Sequence, residues 1–158
     1  MIRIGIDLES IGGFVSIQNG GRRAFYRRVY TPAEQAAFDT DPVSLALCFT
    51  AKEAVSKALG TGLTLGEPHG VSPTDIETLC SHRGNQPRVR LRGKAQEVAQ
   101  ELNLSEIILY WHHNYRLAFS MVGAADSSLA VAELSDAFTK ALETVAAYMD
   151  RIEVRHSR

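Results

Sequence analysis

The sequence predicts an α+β domain with antiparallel strand pairs, a long internal helix and a further helix near the C-terminus. Residues 2–8 are rich in isoleucine, which is typical of a buried strand. Residues 42–59 are bounded by helix start and stop signals. Residues 106–111 and 115–122 are two strand-like segments separated by a tight turn, which is the pattern of an antiparallel hairpin.

The composition fits a single globular domain. The chain has 158 residues, of which 45% are hydrophobic and 22% are charged. Its formal net charge of −1 gives no overall attraction to nucleic acid or to a membrane surface. Asp7 comes too early for the apolar core of a signal peptide, and no stretch approaches the roughly 18 apolar residues of a membrane span. From the lack of both segments we expect a cytoplasmic protein, and Cys48 and Cys80 show no zinc or disulfide spacing.

Two helices in the N-terminal half share one start signal, an N-cap side chain followed by proline. Thr31-Pro32 begins the first helix, and Asp41-Pro42 begins the second. The second helix is expected to end before Gly60, because glycine suits the left-handed conformation that closes many helices. Residues 10–21 contain four glycines, so only short or irregular structure is expected there.

The C-terminal half predicts a further strand pair and two helices. Residues 75–81 and 87–92 are expected to pair as strands around a turn. Residues 94–102 predict a short amphipathic helix. Residues 126–152 carry apolar side chains at helical spacing and predict a long amphipathic helix.

Asp7, Glu53 and Lys57 are the first candidates for a functional site. Asp7 follows an apolar strand, so its carboxylate is expected at the end of that strand. Glu53 lies within the long helix, and Lys57 lies one turn further along the same face. From these residues alone, a turn aspartate and an ordinary solvent-facing Glu–Lys pair remain the alternative.

The long-range order of the motifs resembles the phosphopantetheinyl transferases, specifically the small holo-acyl-carrier-protein synthase type. The resemblance lies in Gly5-Ile6-Asp7, in FTAKEAVSK at residues 49–57, and in Gly60-Thr61-Gly62 directly after it. GNQPRVRLRGKA and IILYWHHNYRLAFSMV resemble the family's next segment and its closing hairpin. The resemblance covers residues 2–122 in collinear order.

The resemblance implies the 4'-phosphopantetheinyl transferase fold, an antiparallel sheet packed on a long central helix. Residues 1–123 are then the transferase domain, and residues 124–158 are a helical extension packed on it. The implied reaction is the Mg²⁺-dependent transfer of the 4'-phosphopantetheine arm of coenzyme A to a serine of an apo acyl or peptidyl carrier protein. Adenosine 3',5'-bisphosphate is released, and fatty-acid or polyketide synthesis is the implied setting.

The resemblance also implies a role for each motif residue. Asp7 and Glu53 are magnesium ligands, since Mg²⁺ takes one or two carboxylates together with phosphate and water. Glu53 also helps to deprotonate the serine, and Lys57 offsets charge on the leaving bisphosphate. Contacts to coenzyme A are implied for a second lysine, the glycine loop and a histidine: Lys52, Gly60, Thr61, Gly62 and His112.

Glu9 is a candidate third metal ligand. The spacing Asp7-x-Glu9 resembles the D-x-E motif of the larger surfactin-synthetase type, in which a third carboxylate joins the metal. On a regular strand both side chains face the same side. A solvated charge at the strand end is the alternative.

A basic, aromatic segment precedes the Thr31-Pro32 helix. Acyl carrier proteins are acidic, and the corresponding region of the family contacts them, although a solvated basic face is the alternative. The carrier-binding candidates are Arg22, Arg23, Arg27 and Arg28. Single-domain members of the family form trimers, so a homotrimer with active sites between subunits is implied.

Two positions depart from the family pattern. Cys48 stands where a basic residue usually precedes the aromatic residue of the helix motif. Trp111 takes the usual histidine position, and His112 follows in the predicted turn at residues 112–114; a shift of one residue reverses the strand face. These departures motivate an alternative, a catalytically impaired module that binds a carrier protein or coenzyme A. A structural subunit that assembles through its C-terminal helix is a third reading.

Overall fold

The computed structural model describes residues 1–66, 69–79, 87–126 and 128–156. The strands in this part of the chain are β1 (Ile2–Ser10), β2 (Ile76–Leu79), β3 (Arg88–Leu91), β4 (Glu106–His113) and β5 (Leu117–Ala125). The α-helices are α1 (Val15–Gln18), α2 (Arg23–Val29), α3 (Pro32–Phe38), α4 (Pro42–Leu59), α5 (Gly93–Glu101) and α6 (Ser128–His156). Cys80 and the predicted turn between β2 and β3 lie outside the described residues.

The strands form two antiparallel sheets, which confirms the predicted α+β class. The larger sheet has the order β1-β5-β4, and β2 pairs with β3 in a second sheet. Asp7 pairs with Ser120 on β5, and Ser120 pairs with Trp111 on β4. Directly paired residues of an antiparallel sheet point to the same face, so these three side chains share one side.

The predicted capping signals set the bounds of α3 and α4. The side chain of Thr31 accepts a hydrogen bond from the Glu34 amide, and the Glu34 carboxylate accepts one from the Thr31 amide, which forms a capping box. The Asp41 carboxylate accepts from the Ser44 amide at 2.8 Å and begins α4. Gly60 has φ = 79° and ends α4, so both predicted bounds of the central helix are confirmed.

Helix α4 packs against one face of the larger sheet at unusually close range. A Cβ atom at Gly5 would overlap the carbonyl oxygen of Ala54, so only glycine allows β1 to approach the helix here. Thr50 on α4 and Ser120 on β5 share a hydrogen bond of 2.7 Å between their hydroxyl oxygens. The face of β1 that carries Asp7 is therefore the face that meets α4.

Helix α6 packs on the opposite face of the same sheet, against β4 and β5. Phe138 lies over Gly123 and makes an edge contact with Tyr110, with 6.0 Å between the ring centroids. The Tyr110 hydroxyl lies 2.8 Å from the Ser135 hydroxyl. On the same face of β1 the side chains remain 46–52% exposed: Ile2, Ile4, Ile6 and Leu8. This row is called the β1 stripe below.

Two elements differ from the sequence-based prediction. Residues 23–29 form helix α2, which begins after Arg22 in a left-handed conformation and has no side-chain cap. His112 and His113 belong to β4 and pair with Phe119 and Ala118, so the predicted turn at 112–114 is wrong. Backbone pairing with β5 extends the strand through these polar residues. Among the described residues, no helix has the length and apolar character needed to cross a membrane.

Candidate active site

Asp7 and Lys57 are brought together where β1 meets α4. The Lys57 ammonium donates to Asp7 Oδ1 at 2.6 Å and to the backbone carbonyl of Ile6 at 3.1 Å. The Asp7 side chain is 11% exposed, whereas that of Lys57 is 48% exposed. The lysine thus reaches along the helix surface from solvent to a nearly buried carboxylate.

Glu53 and Glu9 complete a cluster of acidic groups around this pair. Burial raises the pKa of Glu53, the nearby Asp7 carboxylate raises it further, and Lys57 opposes the shift. The pKa of Glu9 is raised for the same reasons, with burial as the largest cause. The three carboxyl groups therefore repel one another, and Lys57 offsets only part of that repulsion.

The acidic cluster fits a magnesium ion held by two carboxylates. Asp7 Oδ2 is buried and has no hydrogen-bond partner among the described residues, so one oxygen of the best placed carboxylate remains open for a cation. Mg²⁺ typically takes one or two protein carboxylates and completes its shell with substrate phosphate and water.

A three-carboxylate site with Glu9 is not formed. In the described part of the chain, no group of three or more His, Cys, Asp or Glu side chains is arranged to hold a metal ion. Lys57 instead provides the positive charge next to Asp7, and Glu9 lies towards the end of β1. The three-carboxylate arrangement is thus not preformed in the described residues, and Glu9 as a third metal ligand stays a prediction.

The glycine loop directly follows the helix that carries Glu53. Gly60 and Gly62 have φ values of 79° and 71°, and the Thr61 amide donates to the Ser56 carbonyl at 3.1 Å. This hydrogen bond and the left-handed glycines end α4 and turn the chain away from the helix. The predicted coenzyme A loop thus begins one to two turns beyond Glu53 and Lys57.

Arg3 is a neighbour of this loop that sequence reasoning missed. Its Nε donates to the Ala58 carbonyl at 2.5 Å, and a Cβ atom at Gly60 would lie 2.8 Å from its Nη2. The guanidinium group therefore caps the negative C-terminal end of α4. The strand period of two could have found it, since Arg3, Gly5 and Asp7 alternate onto the same face.

Lys52 does not reach this site, so its predicted contact with coenzyme A is wrong. Its side chain is fully buried, and its ammonium donates to Glu34 Oε2 at 2.8 Å. It also donates to the carbonyls of Pro73 at 2.7 Å and Ile76 at 2.5 Å. An ammonium group has three N–H donors, and all three are used inside the protein.

His112 lies in a separate cavity. Its Nε2 is buried and has no hydrogen-bond partner among the described residues. The cavity has a volume of about 450 Å³. Its lining comes from the end of α3, the start of α4 and the end of β4, and includes Phe38, Ser44, Leu47, Trp111, His112 and His113. No member of the acidic cluster lines it, so a single chain does not place His112 against Asp7.

The four candidate carrier-binding arginines lie on and just before α2, and all are exposed. Arg22 stacks on Phe25, with 4.2 Å from its Cζ to the ring centroid, and donates to the Gly13 carbonyl at 3.1 Å. Arg23 and Arg27 line a cavity of about 500 Å³ together with Tyr26. The structure thus forms an exposed basic helix with a mixed polar and apolar cavity beside it.

Comparison with known proteins identifies the family. A family model described as the 4'-phosphopantetheinyl transferase superfamily matches residues 3–120. The chain belongs to this superfamily. It is 40% identical over 111 residues to a holo-[acyl-carrier-protein] synthase of Roseiflexus castenholzii, which covers 69% of this chain and 80% of that protein. It is 39% identical over 132 residues to the synthase of Moorella thermoacetica, which covers 81% and 96% of the two chains.

Solved structures of phosphopantetheinyl transferases share the fold. The holo-[acyl-carrier-protein] synthase of Helicobacter pylori, in complex with coenzyme A, matches with a TM-score of 0.65 and 27% identity, covering 77% of this chain and 99% of that one. The synthase of Neisseria meningitidis matches with a TM-score of 0.66 and 28% identity over 79% and 99% of the two chains. The predicted 4'-phosphopantetheinyl transferase fold is confirmed.

The two departures from the transferase pattern have structural explanations. Cys48 is fully buried, donates its thiol hydrogen to Glu34 Oε1 at 3.3 Å and accepts from the Thr78 hydroxyl at 3.1 Å. Burial raises its pKa, so the thiol stays protonated. Trp111 is partly buried and packs against two core clusters. Both residues thus serve the interior, and neither carries an exposed charge.

Proposed function

We propose that this chain transfers the 4'-phosphopantetheine arm of coenzyme A to a serine of an apo acyl carrier protein. The observation that carries the proposal is the meeting of Asp7, Glu53 and Lys57 at the contact of β1 and α4, in a chain of this superfamily. The relatives named holo-[acyl-carrier-protein] synthase support the acceptor. The related structure solved with coenzyme A supports the donor.

In the proposed reaction, the serine oxygen attacks the phosphorus that bears the pantetheine arm. The bond from that phosphorus to the bridging oxygen breaks, and adenosine 3',5'-bisphosphate leaves with the bond electrons. Asp7 and Glu53 would hold Mg²⁺, which neutralises charge on the phosphate oxygens. Glu53 accepts the serine proton as a general base.

Lys57 provides the mobile positive charge in this proposal. Its half-exposed side chain is held by one ion pair to Asp7 and one hydrogen bond to the Ile6 carbonyl, so the ammonium can turn from the solvent side towards a phosphate oxygen. Gly60 and Gly62 let the backbone approach the nucleotide closely because they have no side chain. Thr61 lies between them and takes part in the same loop.

The basic helix α2 is proposed as the docking surface for the acidic carrier protein. Arg22, Arg23, Arg27 and Arg28 are exposed along a short helix, and Tyr26 lies beside the cavity between α2 and α3. Charges of this kind chiefly raise the association rate and the specificity, and salt screens them. The rate constant for carrier modification is therefore expected to fall with salt more steeply than the affinity for coenzyme A.

We further propose a homotrimer with active sites between subunits and with α6 as part of the same domain. The apolar β1 stripe is half exposed, and exposed apolar rows of this kind mark contact surfaces. His112 Nε2, which has no hydrogen-bond partner in the described part of the chain and lies in a cavity apart from the acidic cluster, supports a contact with coenzyme A bound to a neighbouring subunit. The packing of α6 on β4 and β5 supports one domain.

A transfer assay tests the main proposal. The purified protein is incubated with coenzyme A, Mg²⁺ and a panel of apo acyl and peptidyl carrier proteins, and mass spectrometry measures the modified serine. We expect a mass gain of one phosphopantetheine on at least one carrier. A protein that binds coenzyme A but modifies no carrier, including those encoded beside its own gene, would contradict the proposal.

The same proteins test the trimer. Ile6→Glu places a charge in the β1 stripe, whereas Tyr148→Glu changes an exposed apolar residue of α6 and serves as the control. Light scattering is expected to give three chains for the wild type and for the control, and fewer for Ile6→Glu. A monomeric wild type with full transferase activity would refute the inter-subunit site.

Cys48 motivates a second candidate, a module that binds coenzyme A without transfer. A buried, protonated thiol in place of a basic side chain removes one charge that could hold a phosphate. Calorimetric titration of coenzyme A distinguishes the two functions. Affinity that ignores both Mg²⁺ and an Asp7→Ala change would favour the module, whereas affinity that depends on both would favour the transferase.

A further inference from the structure

We propose that Lys52 and Glu34 are positioning residues that fix the glycine loop and the Glu53 turn of α4 for coenzyme A. The inference rests on the proposed transferase function, and concerns two buried charges for which that function has no chemical use. Both side chains are 0% exposed and lie 2.8 Å apart. A buried ion pair adds little stability over apolar residues of similar size, so stability alone is a weak reason for its presence.

Lys52 joins α4 to the far end of the glycine loop. This loop leaves α4 at Gly60, and the chain returns to the helix where the carbonyls of Pro73 and Ile76 accept hydrogen bonds from Lys52. The outgoing and returning segments are joined by two backbone bonds. The Thr64 amide donates to the Val71 carbonyl at 3.0 Å, and the Val71 amide donates to the Gly62 carbonyl at 3.1 Å.

The glycine loop is therefore attached to α4 at both of its ends. The loop is fixed covalently to α4 at one end and by a charged side chain of the same helix at the other. Gly62, which is predicted to approach the nucleotide, is bonded to Val71, and Val71 is fully buried. Release of Pro73 would therefore let Val71 and Gly62 move together relative to Glu53.

Glu34 holds Lys52 in place because its own carboxylate is fixed by further hydrogen bonds. Its Oε2 accepts from the Thr31 amide at 2.8 Å, and its Oε1 accepts from the Thr78 amide at 2.7 Å and the Thr78 hydroxyl at 2.9 Å. The single carboxylate thus joins the start of α3, the middle of α4 and strand β2. A group with so many bonds permits one rotation of α4 and excludes others.

That rotation decides where Glu53 points. Lys52 and Glu53 are consecutive, so their side chains leave α4 about 100° apart, as the period of 3.6 residues requires. Lys52 faces β2, and Glu53 faces the acidic cluster beside β1. The bonds of Lys52 therefore set the direction of the neighbouring carboxylate without any contact between Lys52 and the substrate.

The test separates positioning from stability with a charge-balanced double variant. Lys52→Met alone leaves Glu34 buried without its counter-ion, whereas Lys52→Met with Glu34→Gln removes both charges. Lys140→Met, on the exposed side of α6, is the matched control. Thermal unfolding, kcat and KM for coenzyme A are measured, together with hydrogen exchange at the amides of Thr64 and Val71.

We expect the double variant to recover most of the thermal stability that Lys52→Met loses. Its KM for coenzyme A should nevertheless stay raised roughly tenfold or more, because a misplaced loop and carboxylate bind the substrate poorly. Exchange at Val71 should be faster than in the control by at least a similar factor. Lys52→Arg keeps the charge, so its Val71 amide should exchange more slowly than that of the double variant.

A double variant with wild-type KM, kcat and exchange at Val71 would overturn the inference and leave the pair a purely structural one. The exchange measurement does not depend on the transfer reaction. If the wild-type protein transfers nothing, the proposed function fails, and unchanged exchange would separately refute the anchoring of the loop. Faster exchange with unchanged KM would refute the role in substrate binding.

Discussion

Two lysine–carboxylate pairs on α4 have the same residue types and contrasting environments. Lys52 and Glu34 are both 0% exposed at 2.8 Å, and every donor of the ammonium is used within the protein. Lys57 and Asp7 lie 2.6 Å apart, but the lysine is 48% exposed and one oxygen of Asp7 has no hydrogen-bond partner in the described part of the chain. The first pair is complete, and the second is open.

The contrast indicates which pair holds the fold and which is available for chemistry. A buried charge that loses its partner costs several kcal/mol, so the first pair cannot exchange partners during a reaction. A pair whose lysine is half exposed is screened by solvent on one side, so Lys57 can leave Asp7 for a substrate phosphate at lower cost than Lys52 can leave Glu34. We expect substitutions at the two lysines to separate stability from activity.

The largest effect is expected for Lys52→Met. The change leaves the Glu34 carboxylate buried without a counter-ion, which should lower the free energy of unfolding by about 3–5 kcal/mol. Urea unfolding measures it, and Lys140→Met on the surface should change the value by less than about 0.5 kcal/mol. Equal values for the two variants would show that the buried pair is not held as described.

Asp7→Asn is expected to affect activity instead. The neutral amide lacks the charge with which the carboxylate binds magnesium, so kcat should fall roughly 10²–10³-fold, while the free energy of unfolding changes by less than it does for Lys52→Met. Single-turnover transfer and urea unfolding measure the two quantities. Asp136→Asn, on an exposed face of α6, is the control. Full activity of Asp7→Asn would contradict a role of the Lys57–Asp7 pair in the reaction.

Lys57→Met is expected to have a smaller effect of the same kind. Loss of one positive charge near the leaving bisphosphate should lower kcat/KM about tenfold, which corresponds to about 1.4 kcal/mol of transition-state stabilisation. Lys57→Arg keeps the charge and should recover much of that loss. A stability loss as large as that of Lys52→Met would show that the two pairs are equivalent.

The smallest effect is expected from Mg²⁺ and pH without substrate. The folded-state pKa values of Glu9 and Glu53 are raised above their ordinary value of 4.5. Their contribution to stability is therefore present below that value and is lost as the pH rises through the folded-state pKa values. At pH values above these pKa values, Mg²⁺ at five times its Kd should raise the free energy of unfolding by about 1 kcal/mol, which corresponds to a rise of about 2–4 °C in Tm.

Scanning calorimetry in matched buffers gives this Tm shift. It should be larger at about pH 8 than at about pH 5, because protons compete with the cation for the carboxylates at the lower pH. Asp7→Asn, with the same buffers and ionic strength, should abolish the difference. An equal shift at both pH values would mean that the cation binds elsewhere.

Local signals in the sequence predicted much of the fold. Asp41 and Gly60 set the bounds of α4, because capping needs only nearby backbone groups. Helix α2 escaped prediction because Arg22, which carries no capping side chain, starts it from a left-handed conformation. The end of β4 was misplaced because pairing with β5 outweighs the polarity of His112 and His113.

The sequence by itself determined the motif order and the central helix, whereas Asp7, which was expected at the end of its strand, lies within β1 because pairing with β5 continues to Ser10. The first two depend on spacing along one element, and the periods of strand and helix are fixed by covalent geometry. Only the tertiary structure decided which of the two lysines is buried. Glu34, Pro73 and Ile76, which fill the donors of Lys52, lie 18 to 24 residues away along the chain. No local pattern encodes such contacts, because packing brings them together.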